Sequence, residues 1–281
     1  MDIKASDVKK LRDKTGAGMM DCKKALVDAG GDAARAEKIL KELGLAAAAK
    51  RMGRATNEGR VFTRVTADQA AILELSCETD FVARNNDFVA LGNRLLENLM
   101  DRGLSVESEQ IETEIKNAIS TIKENMSLRR FDSMPVGAGE VAVDYIHGEG
   151  GNIGVLVKVK AEGDAAGSQA VRRFAFDVAL HVAAFRPAYL AEKTVDPGYL
   201  EEQEAIFLKQ AQNLDKPQNV LQGIVKGKMK KHLSEICLMD QPFVKDDKKS
   251  VAQMAAEVGK AAGGTVSVVD YRYYRVGEEI E

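Results

Sequence analysis

His147, His181 and His232 are the three histidines of the chain, and no ligand spacing relates them, so no helix or hairpin brings two of them to one metal. Neither Gly-x-Ser-x-Gly nor His-Glu-x-x-His occurs, which leaves nucleophilic and zinc-dependent hydrolysis without a local signature. Cys22, Cys77 and Cys237 are odd in number and far apart. They form neither a Cys-x-x-Cys site nor a disulfide framework that could be read from spacing. Thr15-Gly16-Ala17-Gly18 superficially suggests a phosphate loop, but a dinucleotide fingerprint needs a buried strand before it, and Asp7 to Lys14 is a charged helix. Gly223 to Met229 fails as a P-loop, with one residue too few between its glycines and Met where Ser or Thr would ligate magnesium. No catalytic or cofactor signature emerges from these residues, and the expectation is a protein that is not an enzyme and uses no cofactor. An enzyme using the glycine loop, which would bind nucleotide saturably by itself, stays as a rival to that expectation.

Two tetrapeptides stand out. Asp80-Phe81-Val82-Ala83 returns seven residues later as Asp87-Phe88-Val89-Ala90. On one continuous helix that spacing places both phenylalanines on the same face, as core. The first copy, however, follows a strand directly through Ser76-Cys77-Glu78-Thr79. Thr79 is placed to cap the next helix, which puts Asp80 and Phe81 in its first turn, at a corner where an aromatic can serve as a wedge. Of the histidines, His181 in its apolar helix reads as a hydrogen-bonded core residue. His147, before Gly148-Glu149-Gly150-Gly151, reads as an exposed contact residue. His232, in Lys228-Met229-Lys230-Lys231-His232, reads as part of a solvated basic face, with anion contact as the alternative.

The elements that must position these residues follow from periodicity. Residues 1–53 read as three helices: Ser6 caps one carrying Val8 and Leu11, a second runs from Met19, and Asp32 caps a third that Gly44 ends. Ala46 to Arg51 continues as a helical, basic connector. Arg60–Thr66 and Ala71–Leu75 form a hairpin. A long amphipathic helix carries Phe88, Leu91, Leu95 and Leu99, and another carries Ile111, Ile115, Ile119, Ile122 and Met126. Strands follow at Leu128–Ser133, Val141–Ile146 and Ile153–Val159, then a helix at Ser168–Phe185 stopped by Pro187. Tyr199–Leu214 and Val220–Leu233, joined through Asp215-Lys216-Pro217, make an antiparallel helical arm. A helix at Ser250–Ala262 and a strand at Val266–Val276 complete the pattern. Strict βαβ alternation is missing, so the fold class is α+β with antiparallel sheets packed by helices. The division is 1–53, a three-helix module; 54–138, a first core subdomain; 139–195 with 234–281, a second; and 196–233, an inserted arm.

Composition narrows the partners. A chain of 281 residues buries roughly three-quarters of its unfolded surface, so no staple is needed. Forty Lys and Arg against 43 Asp and Glu, net −3, do not favour a polyanion, which speaks against nucleic acid. The second residue is already charged, and no apolar run approaches the ~20 residues that span a bilayer. A cytoplasmic protein that does not use a membrane is expected. The rival class is a small RNA-binding or ribosome-associated protein using Lys226 to Lys231 and Tyr271-Arg272-Tyr273-Tyr274-Arg275. Strand alternation buries Tyr271 and Tyr273 on one face, which weakens that rival.

Leu11-Arg12-Asp13-Lys14-Thr15-Gly16-Ala17-Gly18-Met19-Met20-Asp21-Cys22-Lys23-Lys24-Ala25-Leu26 and Glu78-Thr79-Asp80-Phe81-Val82-Ala83-Arg84 together resemble the translation elongation factor Ts family. His147-Gly148, Ile153 to Val157, Gly227 to Lys231 and Gln241 to Val244 extend the resemblance over nearly the whole chain. It implies a guanine-nucleotide exchange factor for elongation factor Tu, with a ubiquitin-associated-like three-helix module, a two-part core and an inserted helical hairpin. It also implies that Thr79, Asp80, Phe81 and Val82 intrude beside the partner's magnesium and phosphate site. Leu11, Met19 and Met20 would dock on the partner's GTPase domain, and His147 would touch a more distant partner domain. Relatives often continue into a C-terminal helix, so the resemblance carries the expectation that this contact is missing after Glu281. The arm is the candidate surface for a homodimer.

Overall fold

The computed structural model describes residues 3–212 and 217–280. Helices α1 (Ala5–Thr15), α2 (Met19–Asp28) and α3 (Ala33–Arg51) enclose a small core of Val8, Leu11, Cys22, Ala25, Leu26, Ala36 and Leu40. Asp32 caps α3 as expected, accepting from the Arg35 amide at 3.0 Å. Two expectations fail here. Helix α1 starts one residue before Ser6, at Ala5, with Lys4 at the N-cap and no side-chain cap. Gly44 does not end α3, which runs unbroken to Arg51. The glycine serves close approach instead: a Cβ at Gly44 would lie 1.9 Å from Ser120 Oγ. The glycine-rich tetrapeptide is a linker, Gly16 in the left-handed region (φ 67°) closing α1 and Gly18 preceding α2.

The first sheet, in order β1-β2-β3, consists of β1 (Glu58–Val65), β2 (Gln69–Cys77) and β3 (Met126–Pro135), all antiparallel. Helices α4 (Asp80–Ala83), α5 (Asn86–Asp101) and α6 (Glu109–Ile122) lie between β2 and β3 in the chain. Met126 therefore opens β3 and does not close α6, because Lys123 adopts a left-handed conformation (φ 69°) that ends the helix. The second sheet, in order β4-β5-β8, pairs β4 (Glu140–His147), β5 (Ile153–Gly163) and β8 (Gly264–Arg275). Helices α7 (Gln169–Phe185) and α10 (Val251–Ala261) pack on its outer face through Val155, Val157, Val159, Phe174, Val178 and Val251.

Between the sheets lie Val61, Ala70, Ile72, Met134, Ala142, Leu156 and Tyr274, which gives four layers: helices, sheet, sheet, helices. This explains the near-continuous burial of β2, because strands covered on both faces lose polar alternation. Ala71, Leu73 and Leu75 face α5 and α6, while Ala70 and Ile72 face the other sheet. Glu74 is fully buried. It is satisfied there by Arg130 Nε at 2.7 Å and by the Gly277 amide at 3.0 Å, as a buried charge must be.

The arm consists of α8 (Pro197–Gln212) and α9 (Gln218–Ile236), in contact through Ala211, Leu221 and Val225. The expected end of its first helix at Leu214 and the link through Asp215 and Lys216 lie outside the described residues. His232 is not the solvated group expected: Nε2 lies 2.9 Å from Tyr199 Oη, and its ring packs edge-on against Phe207. A two-stranded ribbon, β6 (Pro242–Phe243) with β7 (Asp246–Ser250), leads into α10. No helix among the described residues is long and apolar enough to cross a membrane.

Candidate partner-binding corner

Strand β2 ends at Cys77 and the chain turns immediately. Thr79 is extended (φ −130°, ψ 153°) and its hydroxyl accepts from the Val82 amide at 3.4 Å, which caps the four-residue helix α4. Helix α4 then stops at Arg84, and Asn85 caps α5 by accepting from the Asp87 amide at 2.7 Å. This break decides the fate of the repeated tetrapeptide. Seven residues apart on one helix, both phenylalanines would share a face; with the helix interrupted, they do not. Phe88 is 0% exposed and packs on Phe62 with centroids 6.3 Å apart. Phe81 is 82% exposed, the most exposed large apolar side chain among the described residues. Val82 and Ala83 root α4 in the core beneath, and Asp80 pairs with Arg84 at 3.5 Å on the surface.

A carboxylate that the sequence did not single out holds this turn. Glu124, two residues beyond α6, accepts from the amides of Glu78 (3.2 Å) and Thr79 (3.0 Å) and from the Thr79 hydroxyl (2.7 Å). In return, Glu78 accepts from the Asn125 amide at 2.7 Å and pairs with Arg54 at 3.3 Å. These contacts, led by the Asn125 amide, hold the Glu78 carboxyl below its usual range. Asn125 Nδ2 donates in turn to the Arg54 carbonyl at 2.7 Å. The buried Cys77 thiol donates to the Thr79 carbonyl at 3.2 Å. Desolvation and then the nearby Glu124 charge push that thiol up to about 12, so it is an inert structural group. The available signal was a polar pair, Glu124-Asn125, between a helix and a strand, which spacing alone does not distinguish from an ordinary turn.

Of the expected docking residues, Met19 and Met20 are exposed at the start of α2, Met20 by 75%. Leu11 is 4% exposed and belongs to the module's own core, so it supports that surface from behind and does not form it. The module and the corner meet the same end of α6. Asp21 pairs with Lys123 at 3.5 Å, and Gly44 lies against Ser120. His147 is elsewhere, at the end of β4 in the second sheet. It is exposed as expected, with Nδ1 2.8 Å from Tyr145 Oη, and Tyr145 meets the exposed Phe176 edge-on.

The aromatic strand of the RNA-binding rival is engaged inward. Tyr271 and Tyr273 pack on the second core. Tyr271 and Tyr273 thus share one inward face as expected, and Tyr274, whose ring lies under the Arg130 guanidinium at 4.0 Å, is buried on the opposite face, between the sheets. Arg272 is paired with Asp132 and Asp270. Among the described residues, no cluster of three or more His, Cys, Asp or Glu side chains could hold a metal ion.

A family model described as elongation factor TS matches residues 78–278, beginning at the corner itself. The chain belongs to the elongation factor Ts family. It is 47% identical over 278 residues to the elongation factor Ts of Treponema denticola, covering 99% of both chains. It is also 47% identical to that of Borrelia recurrentis, over 99% of this chain and 100% of the relative. The protein of Borreliella burgdorferi is 46% identical over 276 residues. Membership makes this a translation elongation factor of the nucleotide-exchange kind, and its mixed helical and antiparallel architecture is the α+β fold expected.

Proposed function

We propose that the protein promotes GDP release from elongation factor Tu by pressing the Thr79–Val82 corner into the partner's magnesium and phosphate site, with Phe81 as the wedge. One observation carries this: of two identical tetrapeptides, one phenylalanine is in the core and the other is 82% exposed on a capped and strapped turn. Nothing in folding rewards an exposed Phe81, whereas burying it in a partner is worth ~1.5–3 kcal/mol, one to two decades in an equilibrium constant. Asp80 brings a carboxylate to a site crowded with phosphates. Docking falls to the 1–53 module through Met19 and Met20 and to His147 on the second core subdomain; the wedge belongs to the 54–138 subdomain, and the arm stands apart as a candidate self-association surface.

No bond is made or broken in such a reaction. If the factor weakens GDP binding by some ratio, GDP weakens factor binding by the same ratio, so a ternary complex forms and sheds either ligand. The inward-facing tyrosines and paired Arg272 favour this function over RNA binding, which needs rings free to stack. Labelled GDP preloaded on purified elongation factor Tu should leave faster when the protein is added with excess unlabelled nucleotide. An unchanged release rate across saturating concentrations would refute the proposal.

A further inference from the structure

We propose that Glu124 is the positioning residue of the wedge: its carboxylate fixes the Glu78–Thr79 turn and thereby the direction in which Phe81 projects. The inference rests on the function proposed above. Phe81 has almost no packing of its own, so its direction is that of the backbone of α4. Four residues are far too few for a helix to hold itself together in water. The ladder between β2 and β3 ends at Cys77, opposite Met126, and the next two amides, Glu78 and Thr79, turn out of the sheet. Both donate to Glu124, and so does the very hydroxyl that caps α4. A carboxylate receiving three donors makes stronger bonds than a neutral acceptor would. The bonds are also reciprocal, since Glu78 accepts from the amide of Asn125. Two loops distant in sequence are thus clasped by neighbouring carboxylates facing opposite ways.

The placement of Glu124 adds a second consequence. It follows Lys123, whose left-handed turn closes α6 and whose ammonium pairs with Asp21 of α2. Docking module and wedge therefore hang on one turn of one helix. When the module seats on the partner, the clasp delivers Phe81 at a set angle; without it, docking proceeds and the wedge is delivered only part of the time.

The test uses the full chain and elongation factor Tu loaded with labelled GDP, comparing Glu124→Ala, Glu124→Gln, Phe81→Ala and the double variant Phe81→Ala/Glu124→Ala. If the unclasped turn holds the competent geometry about one time in ten, Glu124→Ala lowers the maximal release rate about tenfold while the half-saturating concentration stays the same. Gln, which keeps the shape and an accepting oxygen, restores most of the rate. The double variant is no slower than Phe81→Ala alone, because both changes act through one side chain. A wild-type maximal rate in Glu124→Ala, or a double variant slowed by the product of the two single effects, would overturn the proposal. Amide hydrogen exchange supplies a readout without the partner: the Glu78 and Thr79 amides should lose protection in Glu124→Ala, and wild-type protection there would also overturn it. If the wild-type protein itself fails to release GDP, the proposed function falls, and the amide data alone still decide whether Glu124 holds the turn.

Discussion

Phe81 and Phe88 share the tetrapeptide Asp-Phe-Val-Ala, yet one points into solvent and the other is sealed under the first sheet. The tetrapeptides are identical, so the difference comes from the surroundings of each copy. A strand end and a threonine cap precede the first, and Glu124, 45 residues after that threonine, straps its turn; an asparagine cap and a sixteen-residue amphipathic helix carry the second. The core position has many neighbours and a stability role. The corner position has backbone support and a free side chain, and in the function proposed above its role appears only against a partner. The same residue type is thus buried or left exposed by where the helix breaks.

The largest effect that would separate the two regions is at the core. Phe88→Ala should cost ~3–5 kcal/mol through lost burial and a residual cavity, read as a lower melting temperature and urea midpoint. Release of GDP per folded molecule at low temperature should be little changed. Deleting residues 1–53 should weaken partner binding on the order of 100-fold, about 2.7 kcal/mol, as loss of an interface hot-spot patch does. The remainder should fold with a lower melting temperature, because Ala48 at the end of α3 is buried in the first core. Titration calorimetry and circular dichroism check the two halves of that expectation.

Thr79→Ala removes the cap of α4 and one donor to Glu124, and should cost about 1 kcal/mol in stability. Maximal exchange should fall several-fold, and Thr79→Ser should restore it. The smallest effect concerns acid. His181 Nδ1 accepts from the Val244 amide (3.1 Å), so Nε2 carries the proton toward Gln241 Oε1 (2.8 Å); burial holds this histidine below its ordinary 6.5. The folded state then binds a proton less readily than the unfolded chain. Stability is full above about pH 6.5 and is lost as pH falls below it toward the lowered folded value. Glu78 is depressed from an ordinary 4.5, so its contribution at the corner is present above that value and is lost only at more acid pH. Melting curves at pH 7.5 and 5.5 should show the second core weakened, with Glu78 and Thr79 amide protection intact.

Much of this was legible in the sequence, for identifiable reasons. The helices expected from Ser168 and from Ser250 begin one residue after those serines, which cap them, and the expected hairpin of Arg60–Thr66 with Ala71–Leu75 pairs as β1 and β2. The threonine cap of α4 and the exposure of its phenylalanine followed from a strand ending directly before it. Gly44 was misread because a glycine after an apolar helix face ordinarily ends it, whereas here the helix needs room against Ser120. Met126 fitted the α6 period by coincidence, and Lys123, a residue with no special left-handed preference, ends that helix. Glu124 was missed and His232 misread as solvated because their partners, Thr79 and Tyr199, lie 45 and 33 residues away, and single-chain spacing carries no record of such pairings.

The central claim is that Phe81 acts on a partner and contributes little to the fold. Its most direct test is the rate of GDP release from elongation factor Tu at saturating factor, with wild-type protein and Phe81→Ala measured beside their melting temperatures. Loss of a wedge of this kind should slow release by about 30-fold, equivalent to about 2 kcal/mol at an interface hot spot, with the melting temperature unmoved. A Phe81→Ala protein that melts early and yet releases GDP at the wild-type rate when cold would place Phe81 with Phe88, in the fold, and contradict the claim.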